Sequence, residues 1–135
     1  MRTVVLLVII AAGCHESASS TFRVASPEAD RPRAAVRQIL DADQVAVRQL
    51  RANLADANDR PAMCKHVAAY LDVVDYLDTE GCPKDFTDAY RAYTAAWRIF
   101  DASLAMDGNT TEAADRIDRY WKDVLALARK YRVVQ

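Results

Sequence analysis

Apolar residues recur at alternating steps of four and three in four separate segments of this chain, a spacing that places them on one face of a helix. The 135 residues include only three glycines and four prolines, so few positions interrupt long helices. The four stripes are Val36, Leu40, Asp43, Val47, Leu50, Leu54 and Ala57; Met63, Val67, Tyr70, Val74 and Leu77; Phe86, Tyr90, Tyr93, Trp97, Phe100 and Leu104; and Ala114, Ile117, Trp121, Val124, Ala128 and Tyr131. No segment shows the alternation of a strand, so the pattern predicts an all-α protein.

Residues that favour helix ends separate these stripes. Asp59 and then Pro61 predict the start of the second helix, because proline is well tolerated in a first helical turn. Gly81 is expected to end that helix as a left-handed cap, and Pro83 to begin the third helix. Gly108 is expected to end the third helix. Each predicted connection is therefore short.

The fourth helix is predicted to start near Asn109, because Glu112 follows three residues later in the spacing of a capping box. Short connections make successive helices antiparallel neighbours. We therefore expect an up-down-up-down four-helix bundle over residues 32–135.

The beginning of the chain is typical of a secretory signal. Arg2 precedes a run of apolar residues at positions 4–12, the layout that targets a chain for export. A membrane-spanning helix needs about 20 apolar residues, and this run is much shorter. Residues 1–13 are therefore predicted to be a cleaved signal peptide.

The apolar run ends in Ala11, Ala12, Gly13 and Cys14, and this small-small-Gly-Cys ending resembles the lipobox of bacterial lipoprotein precursors. The resemblance implies that the Cys14 thiol receives a diacylglycerol and that the signal is cut just before it. His15 stands where aspartate often marks inner-membrane retention, which implies an outer-membrane lipoprotein facing the periplasm or the surface. Ala11 stands where the family most often has leucine, so the alternative is an ordinary signal peptide and a soluble periplasmic or secreted protein.

The residues after the cysteine are rich in serine and alanine and lack helical periodicity. We expect residues 14–31 to form a lipidated N-terminus and a flexible tether, with a reach of roughly 20 to 25 Å. The tether would hold the bundle just clear of the lipid headgroups.

Composition argues against several functions. The chain has 18 basic and 19 acidic residues with a net charge of −1, so a nucleic-acid partner is not expected. The Glu-x-x-His spacing of di-iron bundles and the Cys-x-x-Cys-His motif of c-type haem are both absent from the sequence. No nucleophile motif or phosphate loop is present either. We expect neither an enzyme nor a resident cofactor.

Met63, Cys64 and His66 form a cluster of soft ligands on the second helix that could hold Cu(I). This cluster is the basis of an alternative function, a periplasmic metal or cofactor carrier. Because no second ligand-rich segment accompanies it, a role for these residues at the edge of the core is preferred.

Cys64 and Cys82 would be the two cysteines left after lipidation of Cys14, and an even count in an oxidising compartment favours a disulfide. A continuous helix between them would separate the two by about 27 Å, whereas a disulfide needs Cα atoms within about 7 Å. Free thiols or pairing between molecules are therefore preferred, and an intramolecular bond would require a short or bent second helix.

Asp43 is the one ionisable residue on the apolar stripes, so it is predicted to be a buried polar group with hydrogen-bond partners. The antiparallel arrangement suggests the hydroxyls of Tyr90 and Tyr131 as donors.

Tyr76 and Tyr120 lie off the main stripes, and Arg91 and Arg98 accompany the aromatic residues of the third helix. Tyrosine and arginine are enriched at protein interfaces. The sequence therefore predicts a binding face formed by these four residues, and the leading hypothesis is a lipid-anchored module that binds another envelope protein. Accessory, exclusion and immunity proteins are of this kind.

Overall fold

The computed structural model describes residues 27–134, which form four helices and no strand. The helices are α1 (Pro27–Ala55), α2 (Arg60–Asp75), α3 (Lys84–Ala105) and α4 (Thr111–Lys130). Each helix packs against the next along the chain, and the α3–α4 contact is the most extensive. The prediction of an all-α four-helix bundle is confirmed. The predicted signal peptide and Cys14 lie outside the described residues.

Helix α1 begins earlier than the apolar stripe suggests. The sequence predicts a tether as far as residue 31, whereas the helix starts at Pro27 and contains Pro32 within it. Glu28 and Asp30 occupy the first turn, where negative charges interact favourably with the helix dipole. Residues 27–31 are therefore helical, and Pro32 lacks only one backbone hydrogen bond near the helix start.

The start of α2 follows the predicted pattern. Asp59 is the N-cap, and its Oδ1 accepts a hydrogen bond from the backbone N–H of Ala62 at 2.8 Å. Pro61 lies in the first turn, where its missing N–H is not needed. Local sequence alone therefore specifies this helix start.

The end of α2 corrects the prediction that the helix runs to Gly81. The helix ends at Asp75, and Gly81, with φ of +82°, belongs to the loop that follows. In this loop Oδ1 of Asp78 accepts a hydrogen bond from the N–H of Glu80 at 2.8 Å. Such side-chain turns compete with helix continuation, so Cys82 lies in the loop rather than on the helix.

Helix α3 ends two residues before the position expected from Gly108. Asp107, not glycine, adopts the left-handed conformation with φ of 57°. The N–H of Gly108 donates to the carbonyl of Ser103 at 2.8 Å, and that of Asp107 to Leu104 at 3.4 Å. This is the hydrogen-bond pattern of a Schellman motif.

Helix α4 ends in the same way at another residue that is not glycine. Arg132 has φ of 58°, and the N–H of Val133 donates to the carbonyl of Ala128 at 2.9 Å. The chain thereby reverses, and Val133 and Val134 pack against the core.

The start of α4 differs from the predicted capping box. Oδ1 of Asn109 accepts from the N–H of Thr111 at 2.9 Å. Glu112 instead pairs with Arg116 one turn later, at 2.6 Å. The reciprocal contact of a capping box is therefore not formed.

The core divides into two clusters. The first joins α1, α3 and α4 through Val36, Ile39, Phe86, Tyr90, Val124 and Ala128, among others. The second joins α1, α2 and the end of α3 through Leu50, Val67, Tyr70, Val74 and Leu104, among others. The stripes identify most of these residues, but Ala114 is exposed and its neighbour Ala113 is buried, contrary to prediction.

Candidate functional site

Asp43 lies at the centre of a buried polar cluster. Its side chain is on α1 and the residue is 1 % exposed. Oδ1 accepts hydrogen bonds from the hydroxyl of Tyr70 at 2.8 Å and of Tyr90 at 3.0 Å. The hydroxyls of Tyr70 and Tyr93 are 3.1 Å apart and also share a hydrogen bond. Three helices therefore contribute to one hydrogen-bonded group.

Tyr131 is not a partner of Asp43, and this part of the prediction is wrong. Its hydroxyl donates instead to Oδ1 of Asp85 at 2.8 Å, and the ammonium of Lys130 lies 2.7 Å from Oδ2 of the same carboxylate. The end of α4 is thus joined to the start of α3. Hydrogen bonds from Lys130 and then Tyr131 lower the pKa of Asp85.

The electrostatics of the Asp43 cluster follow from its burial. Loss of solvation raises the pKa of Asp43, although the hydrogen bonds from Tyr70 and Tyr90 act in the opposite direction. Burial and the nearby charge of Asp43 raise the pKa of Tyr93 to about 12, and the pKa values of Tyr70 and Tyr90 are raised as well. The three hydroxyls therefore remain protonated donors at neutral pH.

A cavity of about 400 Å³ opens beside Asp43 between α1, α4 and the end of the chain. Its apolar wall includes Leu40, Val47, Tyr93, Trp121, Val133 and Val134. The rings of Tyr93 and Trp121 are in contact, with centroids 5.0 Å apart. Asp41, Gln44, Arg48 and Arg51 supply the polar part of the lining.

A second groove of about 330 Å³ continues along the same face of the bundle. It shares Val47, Arg51, Tyr93 and Trp121 with the cavity. Trp97 lies in its lining, and the indole Nε1 of this residue is the one fully buried side-chain nitrogen or oxygen without a hydrogen-bond partner within residues 27–134.

The proposed soft-metal residues do not converge. Met63 and Cys64 are half-buried and pack against the second core cluster. His66 lines a separate groove between α1 and α2, beside Gln49 and Asn53. Within the described part of the chain no group of three or more His, Cys, Asp and Glu residues is placed to hold a metal ion.

Cys64 and Cys82 are both free thiols. Burial, and then the negative charge of Asp78, raises the pKa of Cys82. Its thiolate, which is the reactive form, is therefore less populated.

The four residues of the predicted binding face are divided between two places. Arg91 and Arg98 line a groove between the end of α2 and α3, and Tyr76, at the end of α2, is 89 % exposed. Arg98 forms an ion pair with Asp75, which lines the same groove. Tyr120 is half-buried on α4, packs against the first core cluster and does not line this groove.

Sequence reasoning missed Tyr70 and Tyr93 as partners of Asp43. Both lie on the apolar stripes, and Tyr70 is almost level with Asp43 when the first two helices are paired antiparallel. A buried tyrosine needs a partner for its hydroxyl, so this position was the signal that could have identified it.

None of the helices in residues 27–134 is long and apolar enough to span a membrane. Comparisons with protein-family models, with curated proteins and with solved structures gave no match to this chain. The arguments about function therefore rest on the residues and geometry described above.

Proposed function

We propose that this chain is a lipid-anchored protein of the bacterial cell envelope that acts by binding another envelope protein. The Ala11–Cys14 ending of the apolar run supports the anchor. The observation that carries the binding role is the near-complete exposure of Tyr76 beside a groove lined by Arg91 and Arg98.

The chemistry of this surface suits a protein partner. Val73 is 48 % exposed and lies one helical turn before Tyr76, so the two side chains share one side of α2. Exposed aromatic and aliphatic side chains next to arginine are the composition of interface hot spots. Arg91 and Arg98 add positive charge that favours an acidic segment of the partner.

The anchor is tested by metabolic labelling with a fatty acid and by membrane fractionation. We expect labelled, membrane-bound protein from the wild type and neither property from Cys14→Ser. Cys64→Ser is the matched control and should keep both. Equal labelling of the wild type and Cys14→Ser would contradict the proposed anchor.

The binding face is tested by site-specific photocrosslinking in living cells. A photoreactive phenylalanine at position 76 should give one discrete crosslinked species, and the same residue at position 119, an exposed site on α4, should not. Introduction of Arg98→Glu into the position-76 chain should weaken the crosslink. Crosslinks that are equally strong from both positions, or that are unchanged by Arg98→Glu, would contradict this face.

A further inference from the structure

The cavity beside Asp43 has the features of a ligand site that is separate from the α2–α3 face. A buried carboxylate is expected to have all its hydrogen-bonding capacity used. Here both donors, Tyr70 and Tyr90, act on Oδ1. Oδ2 accepts no hydrogen bond within residues 27–134, and it is not among the fully enclosed polar atoms that lack a partner.

The position of Oδ2 follows from these observations. Because this atom makes no hydrogen bond and is not fully enclosed, it retains a small accessible surface. Asp43 lines the 400 Å³ cavity between α1 and α4. The unsatisfied carboxylate oxygen therefore lies at the inner end of this cavity.

The walls of the cavity define the rest of a ligand. The Tyr93 and Trp121 rings and the aliphatic side chains of Leu40, Val47 and Val134 surround the space next to Asp43. Aromatic faces attract cations as well as apolar groups. A carboxylate at the inner end and aromatic rings along the side together suit a cation attached to an apolar body.

We propose that the cavity binds a small primary amine, with the ammonium group on Oδ2 of Asp43 and the apolar body against Tyr93 and Trp121. The ammonium group supplies the donors that Oδ2 lacks, and a charge-assisted hydrogen bond of this kind is stronger than a neutral one. Tyr70 and Tyr90 hold the carboxylate in place through Oδ1.

The arginines at the cavity do not exclude such a ligand. Arg51 lies eight residues beyond Asp43, or about 12 Å along the helix axis. Neither Arg48 nor Arg51 takes part in an ion pair among the described residues. Their charges lie towards solvent, where screening is effective, and they favour a ligand with its only positive charge at the inner end.

The experiment titrates the full chain with three probes of matched shape in amine-free phosphate buffer. The probes are phenethylamine, 2-phenylethanol and 3-phenylpropionate, which differ in the charge of one end group. The reporter is the indole N–H signal of Trp121 in nitrogen-15 NMR spectra. We expect saturable shifts with phenethylamine, and at least about tenfold weaker binding of the other two probes.

Two variants locate the ammonium group. Asp43→Asn should weaken phenethylamine binding by at least about tenfold. Asp41→Asn is the matched control, because this exposed carboxylate also lines the cavity, and it should bind as the wild type does. Absence of saturable binding to the wild type, equal binding of the amine and the alcohol, or a larger loss in Asp41→Asn than in Asp43→Asn would each overturn the proposal. The three-probe comparison uses the wild type alone, so it decides the question even if Asp43→Asn does not fold.

Discussion

The hydroxyl of Tyr70 on α2 donates a hydrogen bond to Oδ1 of Asp43 on α1 across a distance of 2.8 Å, and both residues are buried. This contact fixes the register between the first two helices, because a shift of one turn would leave a carboxylate and a hydroxyl in the core without partners. The same carboxylate oxygen binds Tyr90 of α3. One acidic side chain thus connects three of the four helices.

We predict that Asp43→Ala lowers the free energy of unfolding by roughly 2 to 3 kcal/mol, because two buried hydroxyls lose their acceptor. Asp43→Asn should cost less, roughly 1 kcal/mol, since the amide oxygen still accepts a hydrogen bond. Urea denaturation followed by circular dichroism measures both values. The control is Asp41→Ala at an exposed position, which should change stability by no more than about 0.5 kcal/mol. Equal losses from Asp43→Ala and Asp41→Ala would contradict the structural role of the cluster.

The pH dependence of stability should carry the sign set by the raised pKa of Asp43. The folded chain holds the Asp43 proton to a higher pH than the unfolded chain, in which the pKa of aspartate is near its ordinary 3.8. The contribution of this group is therefore full below pH 3.8 and is lost as the pH rises through the folded-state pKa.

The measurement is the free energy of unfolding of the wild type minus that of Asp43→Asn, from acid to neutral pH. This difference should fall as the pH rises and then become constant. Asp85→Asn provides the opposite case, because the pKa of Asp85 is lowered. Its difference curve should rise with pH. A flat or rising curve for Asp43 would be inconsistent with its burial as a carboxylate.

Arg132→Gly is expected to stabilise the protein by roughly 1 kcal/mol, because a left-handed φ of 58° strains a residue that has a Cβ atom. Arg129→Gly, within α4, should instead cost roughly 1 kcal/mol. Thermal or urea unfolding of the two variants compares the same substitution on either side of the helix end. Destabilisation by Arg132→Gly would show that the arginine side chain has a role that its exposure does not indicate.

Cys82 should react slowly with a thiol reagent in the folded protein, because its raised pKa reduces the amount of thiolate. The Cys14→Ser/Cys64→Ser double variant isolates this thiol, and the same variant unfolded in urea is the control. We expect a faster reaction after unfolding. In the wild type both Cys64 and Cys82 should react without prior reduction. Thiols that appear only after a reductant is added would contradict the free state of the two cysteines.

The sequence predicts the fold class and most of the core because apolar spacing directly reports which face of each helix is buried. Val36, Val67, Phe86 and Val124 all follow this rule. The errors lie where a single interaction decides the outcome. The Asp78 turn ends the region before Gly81, and Asp107 takes a left-handed position that glycine usually occupies. Neither preference is strong enough to be recognised from residue type alone.

The candidate site was only partly predictable for a related reason. Spacing identifies Asp43 as a buried charge, but its donors depend on how the helices are rotated and offset against one another. Tyr131 and Tyr90 are equally plausible donors in an ideal bundle. In the structure, Asp85 at the start of α3 binds Tyr131 and so removes it from consideration. Competition between two carboxylates for the same hydroxyl groups is a property of the assembled bundle.

The reversal of the chain at Arg132 has a practical consequence for work on this protein. It brings Val133 and Val134 into the wall of the cavity, so any peptide fused after Val134 would emerge beside the proposed amine site. At the other end, the proposed lipidation of Cys14 would remove any tag placed before it. The exposed loop between α1 and α2, at Asn58, is therefore the position at which an epitope would leave both the anchor and the cavity undisturbed.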